Sequence, residues 1–172
     1  GLTPYADAVY FMQMLNSRDV YWLSTAQIQA APVVARMKLE AIPTTYLVSE
    51  PGRAVGWIGN ANLVPRDRPD LAAACALAAR YTGSHVLITD AGSGAPSPVP
   101  DALGLIRAIS KACNGELFYF YGGGVRNPED AAQVINAGAR GVQIGNAFEE
   151  EAAFKKIKEI SAAIRREGKK RV

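Results

Sequence analysis

Short apolar runs alternate along the chain with longer stretches in which apolar residues recur every three or four positions. Residues 6–12 read as a first strand, followed by the turn-rich segment Leu15-Asn16-Ser17-Arg18-Asp19. Thr25 is placed to cap a helix running to about residue 39, with Ile28, Val33, Val34, Met37 and Leu39 as its apolar positions. Residues 45–48 form the second strand; Pro69 opens an alanine-rich helix that ends near Tyr81, with Gly83 as its stop. A third strand covers 85–89, and the helix after it, 101–112, closes at Asn114-Gly115. The fourth strand is 117–121. Asn127 then caps a helix that has Pro128 at its first position and Gly138 past its end. Residues 141–144 make the fifth strand, and a last helix from about Glu150 carries Phe154, Ile157, Ile160 and Ile164 on one face.

Five strands, each followed by a helix, predict a parallel α/β architecture in one domain over residues 1–172. A doubly wound sheet and a (β/α)-barrel both satisfy that order. A hydrophobic content of 49% and a charged content of 20% fit a globular protein able to bury a core. The net charge is only +3, and much of the basic excess lies between Lys155 and Arg171. That placement argues against a nucleic-acid partner; it suits a solvated helix face, with peripheral contact to an anionic membrane surface as the competing use. Cys75 and Cys113 stand alone in helical patterns without a Cys-x-x-Cys spacing, which predicts reduced thiols rather than a metal site or disulfide. No apolar run approaches the roughly 18 residues of a membrane span, and a cytoplasmic location is expected.

The glycines choose between the two architectures. Gly122-Gly123-Gly124 ends the fourth strand, and Gly145-Asn146 follows the fifth. Glycine lets backbone approach an anion and lets successive N–H groups converge on it. In barrels, the loops after the last strands commonly form a phosphate site. A Rossmann-type Gly-x-Gly-x-x-Gly near the first strand is absent, which weakens the dinucleotide reading. Each glycine taken singly is also compatible with a tight turn.

Two further segments carry chemistry. The third strand runs into Asp90-Ala91-Gly92-Ser93-Gly94-Ala95. There Asp90 can accept bonds from substrate hydroxyls or act as a base, and Ser93 with its neighbouring amides can donate to a phosphate. An Asp-Gly turn with a solvated serine is the plainer alternative. Residues 49–68 show no strong period, and with Trp57, Arg53, Arg66 and Arg68 they suggest a lid over an apolar, anionic ligand. His85, Trp22 and the aromatics at 10–11 and 118–121 read as structural, and the acidic run Glu149-Glu150-Glu151 suits a helix start.

Together, YADAVYFMQMLNSR, IPTTYLVSEPGRAVGWIGNANLVPRDRPDLAAA, AGSGAP, GGGVRNPEDA and GARGVQIGN resemble the geranylgeranylglyceryl phosphate synthase family, including its bacterial heptaprenyl-transferring relatives. The resemblance implies a (β/α)8 TIM barrel of which this chain supplies about the last five strands and their helices. It implies an Mg²⁺-assisted prenyltransferase that joins geranylgeranyl diphosphate to the sn-3 hydroxyl of sn-glycerol 1-phosphate with release of diphosphate, and a homo-oligomer. By position, Asp90 is the catalytic residue. The glycerol phosphate set is Ile88, Thr89, Asp90, Ala91, Gly92, Ser93, Gly94, Gly123, Gly124, Gly145 and Asn146. The family usually reads Tyr-Leu-Glu where this chain has Ile88-Thr89-Asp90, which removes a hydroxyl and shortens the carboxylate. Family members also carry a preceding portion that holds the Mg²⁺ ligands, so the resemblance implies that those ligands lie outside this sequence and that the chain alone is not catalytically competent. A sugar-phosphate isomerase or aldolase on a similar barrel, or a non-catalytic phosphate-binding homologue, are the alternatives.

Overall fold

Branched and aromatic runs at alternating depth produce one five-stranded sheet in the computed structural model, which describes residues 2–149 and 153–170. The strands are β1 (Ala8–Met14), β2 (Glu40–Val48), β3 (Val86–Asp90), β4 (Phe118–Gly122) and β5 (Gly141–Gln143). All neighbours pair in parallel, in the order β1-β2-β3-β4-β5. The helices are α1 (Ala26–Met37), α2 (Arg53–Ile58), α3 (Pro69–Tyr81), α4 (Leu103–Cys113), α5 (Pro128–Asn136) and α6 (Ala153–Lys169).

That strand order decides the architecture. A doubly wound sheet reverses its winding at a switch point. Here every strand lies beside its sequence neighbour, and right-handed crossovers place α3, α4 and α5 on one face. Leu47, Leu87, Tyr119 and Tyr121 point to that face and pack with Ala72, Ala76, Ile106, Ile109 and Val134 of the helices. Side chains one residue out of phase point to the opposite, interior face. There Met14, Tyr46, Val48, Val86 and Ile88 form a second cluster, with Trp22, Val55 and Leu63 packed against it. Burying each side chain of this size contributes about 1.5–3 kcal/mol. Among the described residues β1 pairs only with β2 and β5 only with β4, and interior-face Tyr10, Met12 and Phe118 are 44, 42 and 55% exposed.

Local physics moves several expected boundaries. Thr25 is not a cap: it has helical angles (φ −64°, ψ −44°), makes no capping bond, and ends a π-helical turn, Tyr21–Thr25, that runs straight into α1. Lys38 in the left-handed region (φ 55°) stops α1 before Leu39. β2 starts at Glu40 and includes Pro43. β1 is displaced toward the C-terminus, and β5 ends before Ile144. The expected helix start at Glu150 lies outside the described residues, as does Glu151, and α6 is described from Ala153. By contrast, Asn127 caps α5 as its chemistry dictates, its Oδ1 accepting from Asp130 N at 2.7 Å, with Pro128 at the first turn.

The expectation of an aperiodic lid over 49–68 is also corrected. The segment contains α2 and is bonded down at both ends, with Glu50 N to Val64 O at 3.0 Å, Val64 N to Val48 O at 3.1 Å and Asn62 N to Asn16 O at 2.7 Å. Arg66 donates through Nε to Glu50 O at 2.9 Å, and Arg68 pairs with Asp70 at 2.7 Å.

Candidate functional site

Register brings the C-terminal strand ends into one row. Val48 of β2 stands beside Asp90 of β3, Asp90 beside Gly122 of β4, and Gly122 beside Gln143 of β5. All four positions belong to the interior-facing set. A polar cavity of about 400 Å³ opens over this row, lined by Asp90, Ser93, Gly94, Gly122–Gly124, Val125, Arg126, Gln143, Ile144, Gly145 and Asn146.

The loops that wall the cavity fit because they carry no side chains at the crossing point. Gly123 and Gly124 sit at φ +95° and +79°, where L-residues are strained. A Cβ on Gly124 would lie 1.9 Å from Pro96 O, and one on Gly123 would lie 2.9 Å from Ala91 N. The β3 and β4 loops are also cross-linked. Ala91 N donates to Gly122 O at 3.1 Å, Arg126 Nη2 to Ala95 O at 2.8 Å, and Ser97 Oγ to Asp130 Oδ1 at 2.8 Å.

Asp90 is held from two sides. Its Oδ1 accepts from Gly92 N at 2.6 Å, and its Oδ2 accepts a short bond from the Tyr46 hydroxyl. Burial, and then the charge and bond of Asp90, hold the Tyr46 phenol well above its usual range, so it remains a neutral donor. The buried Tyr121 hydroxyl is pushed up to about 12 by burial, with the Arg66 charge acting the other way and Asp90 adding to the rise.

Asp90 and Ser93 also border a second cavity of about 590 Å³, walled largely by apolar side chains of β1, α1 and α2: Val9, Phe11, Met12, Met14, Trp22, Ala30, Val34, Ala54, Val55 and Ile58 among them. The segment expected to act as a lid therefore contributes α2 to this wall. Its Arg53, Trp57, Arg66 and Arg68 line neither cavity, and Trp57 is 86% exposed.

Of the residues singled out from the sequence, the structure brings Asp90, Ser93, Gly94, Gly123, Gly124, Gly145 and Asn146 to the polar cavity. Four others do not line it. Ile88 is packed in the interior apolar cluster. Thr89 faces the helices, within 2.9 Å of the Tyr119 hydroxyl. Ala91 is buried behind Gly123, and Gly92 serves as the amide that holds Asp90. The sequence reading missed Arg126, Gln143 and Tyr46. Gln143 was recoverable from strand alternation once β5 was aligned with β4. Tyr46 lies 44 residues from its partner Asp90 and left no local trace.

The described residues contain no group of three or more His, Cys, Asp or Glu that could hold a metal ion. Among the described residues Asp90 is the single carboxylate lining the polar cavity. These residues do not by themselves fit Mg²⁺. No described helix is long and apolar enough to cross a membrane.

Comparison with known proteins places the chain among relatives. The structure superposes on (S)-3-O-geranylgeranylglyceryl phosphate synthase from Thermoplasma acidophilum, solved with its substrate sn-glycerol-1-phosphate, with a TM-score of 0.87 at 35% identity, covering 95% of this chain and 65% of that one. The chain is 46% identical over 165 residues to the geranylgeranylglyceryl phosphate synthase of Methanothrix thermoacetophila and 45% identical over 168 residues to that of Methanosarcina mazei. It spans 64% and 66% of the length of those two relatives. The family model described as PcrB family matches residues 1–164, and the chain belongs to that family.

Proposed function

We propose that this protein is a prenyltransferase that joins geranylgeranyl diphosphate to sn-glycerol 1-phosphate through an ether bond, releasing diphosphate. The observation that carries the reading is the junction of the two cavities. A polar cavity of about 400 Å³ and an apolar one of about 590 Å³ share Asp90 and Ser93 as a common wall. One suits a small phosphorylated alcohol and the other a hydrocarbon chain, and the reacting atoms meet where they join.

In this scheme the amides at Gly123, Gly124, Gly145 and Asn146 cradle the acceptor phosphate, with Ser93 and Gly94 closing from the β3 loop. Asp90 keeps a free lone pair on each oxygen and accepts the bond from the acceptor's sn-3 hydroxyl. As the allylic C–O bond breaks, that hydroxyl oxygen bonds to the prenyl carbon and its proton passes to Asp90, while the bonding pair leaves with diphosphate. The carboxylate also offsets positive charge developing on the carbon. Apolar walls exclude water that would otherwise capture the cation. Tyr46, reaching Asp90 from β2, supplies a hydroxyl beside the carboxylate although position 88 is isoleucine.

We further propose that the five strands are the C-terminal part of an eight-stranded barrel, that the protein is a cytoplasmic homo-oligomer, and that any Mg²⁺ is held by groups other than those described. The share of the relatives' length that is matched, the pairing of β1 with β2 alone and of β5 with β4 alone among the described residues, and the exposed interior-face Phe118 support the barrel reading. The test is transfer of labelled prenyl chain to sn-glycerol 1-phosphate by the protein and by Asp90→Asn. Loss of about 100-fold or more is expected in the variant, the range typical of a positioned acid–base group. Undiminished transfer would remove Asp90 from the chemistry, and turnover of a sugar phosphate without any prenyl diphosphate would replace the reading altogether.

A further inference from the structure

The charge distribution in the polar cavity is lopsided. Among the described residues its lining contains glycines, Ser93, Gln143, Asn146, two aliphatic side chains and two charged residues, Asp90 and Arg126. A phosphate ester carries close to two negative charges above its second pKa of about 6. Backbone amides can orient such a group but do not neutralise it, and Asp90 repels it. Among the described residues the one cation on the wall is Arg126.

Its position is fixed from both sides. Arg126 follows Gly124 by two residues, and its Nη2 donates to Ala95 O at 2.8 Å, the carbonyl just after Gly94. Behind that carbonyl the next turn is pinned by Ser97 Oγ to Asp130 Oδ1 at 2.8 Å, while Asn127 Nδ2 reaches Asp130 Oδ2 at 3.1 Å. The guanidinium therefore bridges the two touching glycine loops that wall the cavity. That bond occupies one of its five N–H donors.

We propose that Arg126 is a phosphate-binding residue that matches this cavity to a doubly charged phosphate ester. The inference deepens the function proposed above and rests on it for the identity of the ester. A residue that merely braced the loops would affect every anion alike, whereas a charge partner separates anions by their charge.

The test is calorimetric binding at pH 8 of sn-glycerol 1-phosphate, of the singly charged glycerol 1-sulfate and of inorganic phosphate, to the protein and to Arg126→Met, Arg126→Lys and Ser97→Ala. Arg126→Met is expected to lose about 10- to 100-fold toward the phosphate ester, the range of a charge-assisted bond. Its loss toward the sulfate ester should be several-fold smaller. Arg126→Lys should fall between the protein and Arg126→Met, since it keeps the charge without the planar fork. Ser97→Ala, which loosens the loop and leaves the charge, should weaken both esters equally. The proposal is overturned if Arg126→Met behaves like Ser97→Ala, or binds the phosphate ester as well as the protein does. Binding of inorganic phosphate without sn-glycerol 1-phosphate would sink the acceptor assignment, while an Arg126→Met loss toward inorganic phosphate would still uphold Arg126. Binding of neither ligand overturns both.

Discussion

Replacing Gly124 by alanine tests whether the two glycine loops must touch for the cavity to exist. The new Cβ would stand 1.9 Å from Pro96 O and 2.8 Å from Pro96 C, both backbone atoms that cannot swing aside as a side chain would. Restoring an ordinary separation of 3.4 Å or more requires one loop to retreat by about 1.5 Å, and such overpacking costs about 1–3 kcal/mol. Holding alanine at φ +79° adds about 1–2 kcal/mol. If the strain is relieved by opening the loops, the penalty of about 2–5 kcal/mol falls on ligand binding, which at 1.4 kcal/mol per decade is about 30-fold or more. Calorimetric titration with sn-glycerol 1-phosphate, paired with thermal unfolding of the ligand-free protein, measures both terms. Gly145→Ala is the control: no atom lies within 4 Å of where its methyl would stand and its φ is −108°, so unfolding should be unaffected. Full affinity together with an unchanged unfolding temperature in Gly124→Ala would refute the close approach of the loops.

The remaining expectations concern protons and single contacts. Tyr46→Phe removes the donor to Asp90 Oδ2 and should lower prenyl transfer by about tenfold, the value of one charge-assisted bond, with little change in unfolding temperature; equal rates would show the hydroxyl idle. The buried phenols of Tyr46, Tyr119 and Tyr121 are all raised above the ordinary 10, chiefly by burial, with Tyr121 at about 12. The folded state thus favours their neutral forms: this contribution is intact below pH 10 and is lost as pH rises through the folded values. Absorbance at 295 nm should show them ionising together with loss of circular dichroism, and ionisation in the intact fold below pH 10 would contradict this. Glu167 is held down to about 2 by its bonds from Lys170 and Arg166, so its contribution is present above the unfolded value of 4.5 and fades as pH falls toward 2. Glu167→Gln should therefore lower the unfolding temperature at pH 7 and leave it unchanged at pH 2, and equal shifts at both would rule out the ion pairs as the cause.

How far the sequence speaks depends on the range of the interaction. Asn127, Pro128 and Gly138 announce α5 because a cap acts over three residues and is written in consecutive letters. The glycines at the ends of β4 and β5 announce a rim of tight turns for the same reason. α2 was hidden because Gly52, Gly56 and Gly59 dilute its pattern; those glycines answer to Leu63 and Met14, whose atoms come within 3.0 Å of where a Cβ would stand. The cap expected at Thr25 fails because a π-helical turn already precedes it, held by tertiary packing of Trp22 against the interior cluster. Asp90 was legible as a carboxylate before a glycine loop. Its neighbours were not: Tyr46 reaches the site only through the pairing of β2 with β3, and Arg126, two residues past Gly124, shows its place only through its bond to Ala95 O on the β3 loop. The four residues that do not line the cavity, Ile88, Thr89, Ala91 and Gly92, show strand alternation and loop support at work where matching position in the family had implied contact.

Asp90 and Ser93 form a party wall between two compartments, so under the proposed function the two guests would be thermodynamically dependent on each other. A hydrocarbon seated on one side strips solvent from the carboxylate and stiffens every bond made to it from the other. By reciprocity, whatever factor the first occupant lends to the second, the second returns in full. Under the proposed function, affinity measured for either substrate alone would therefore differ from its affinity with the other in place.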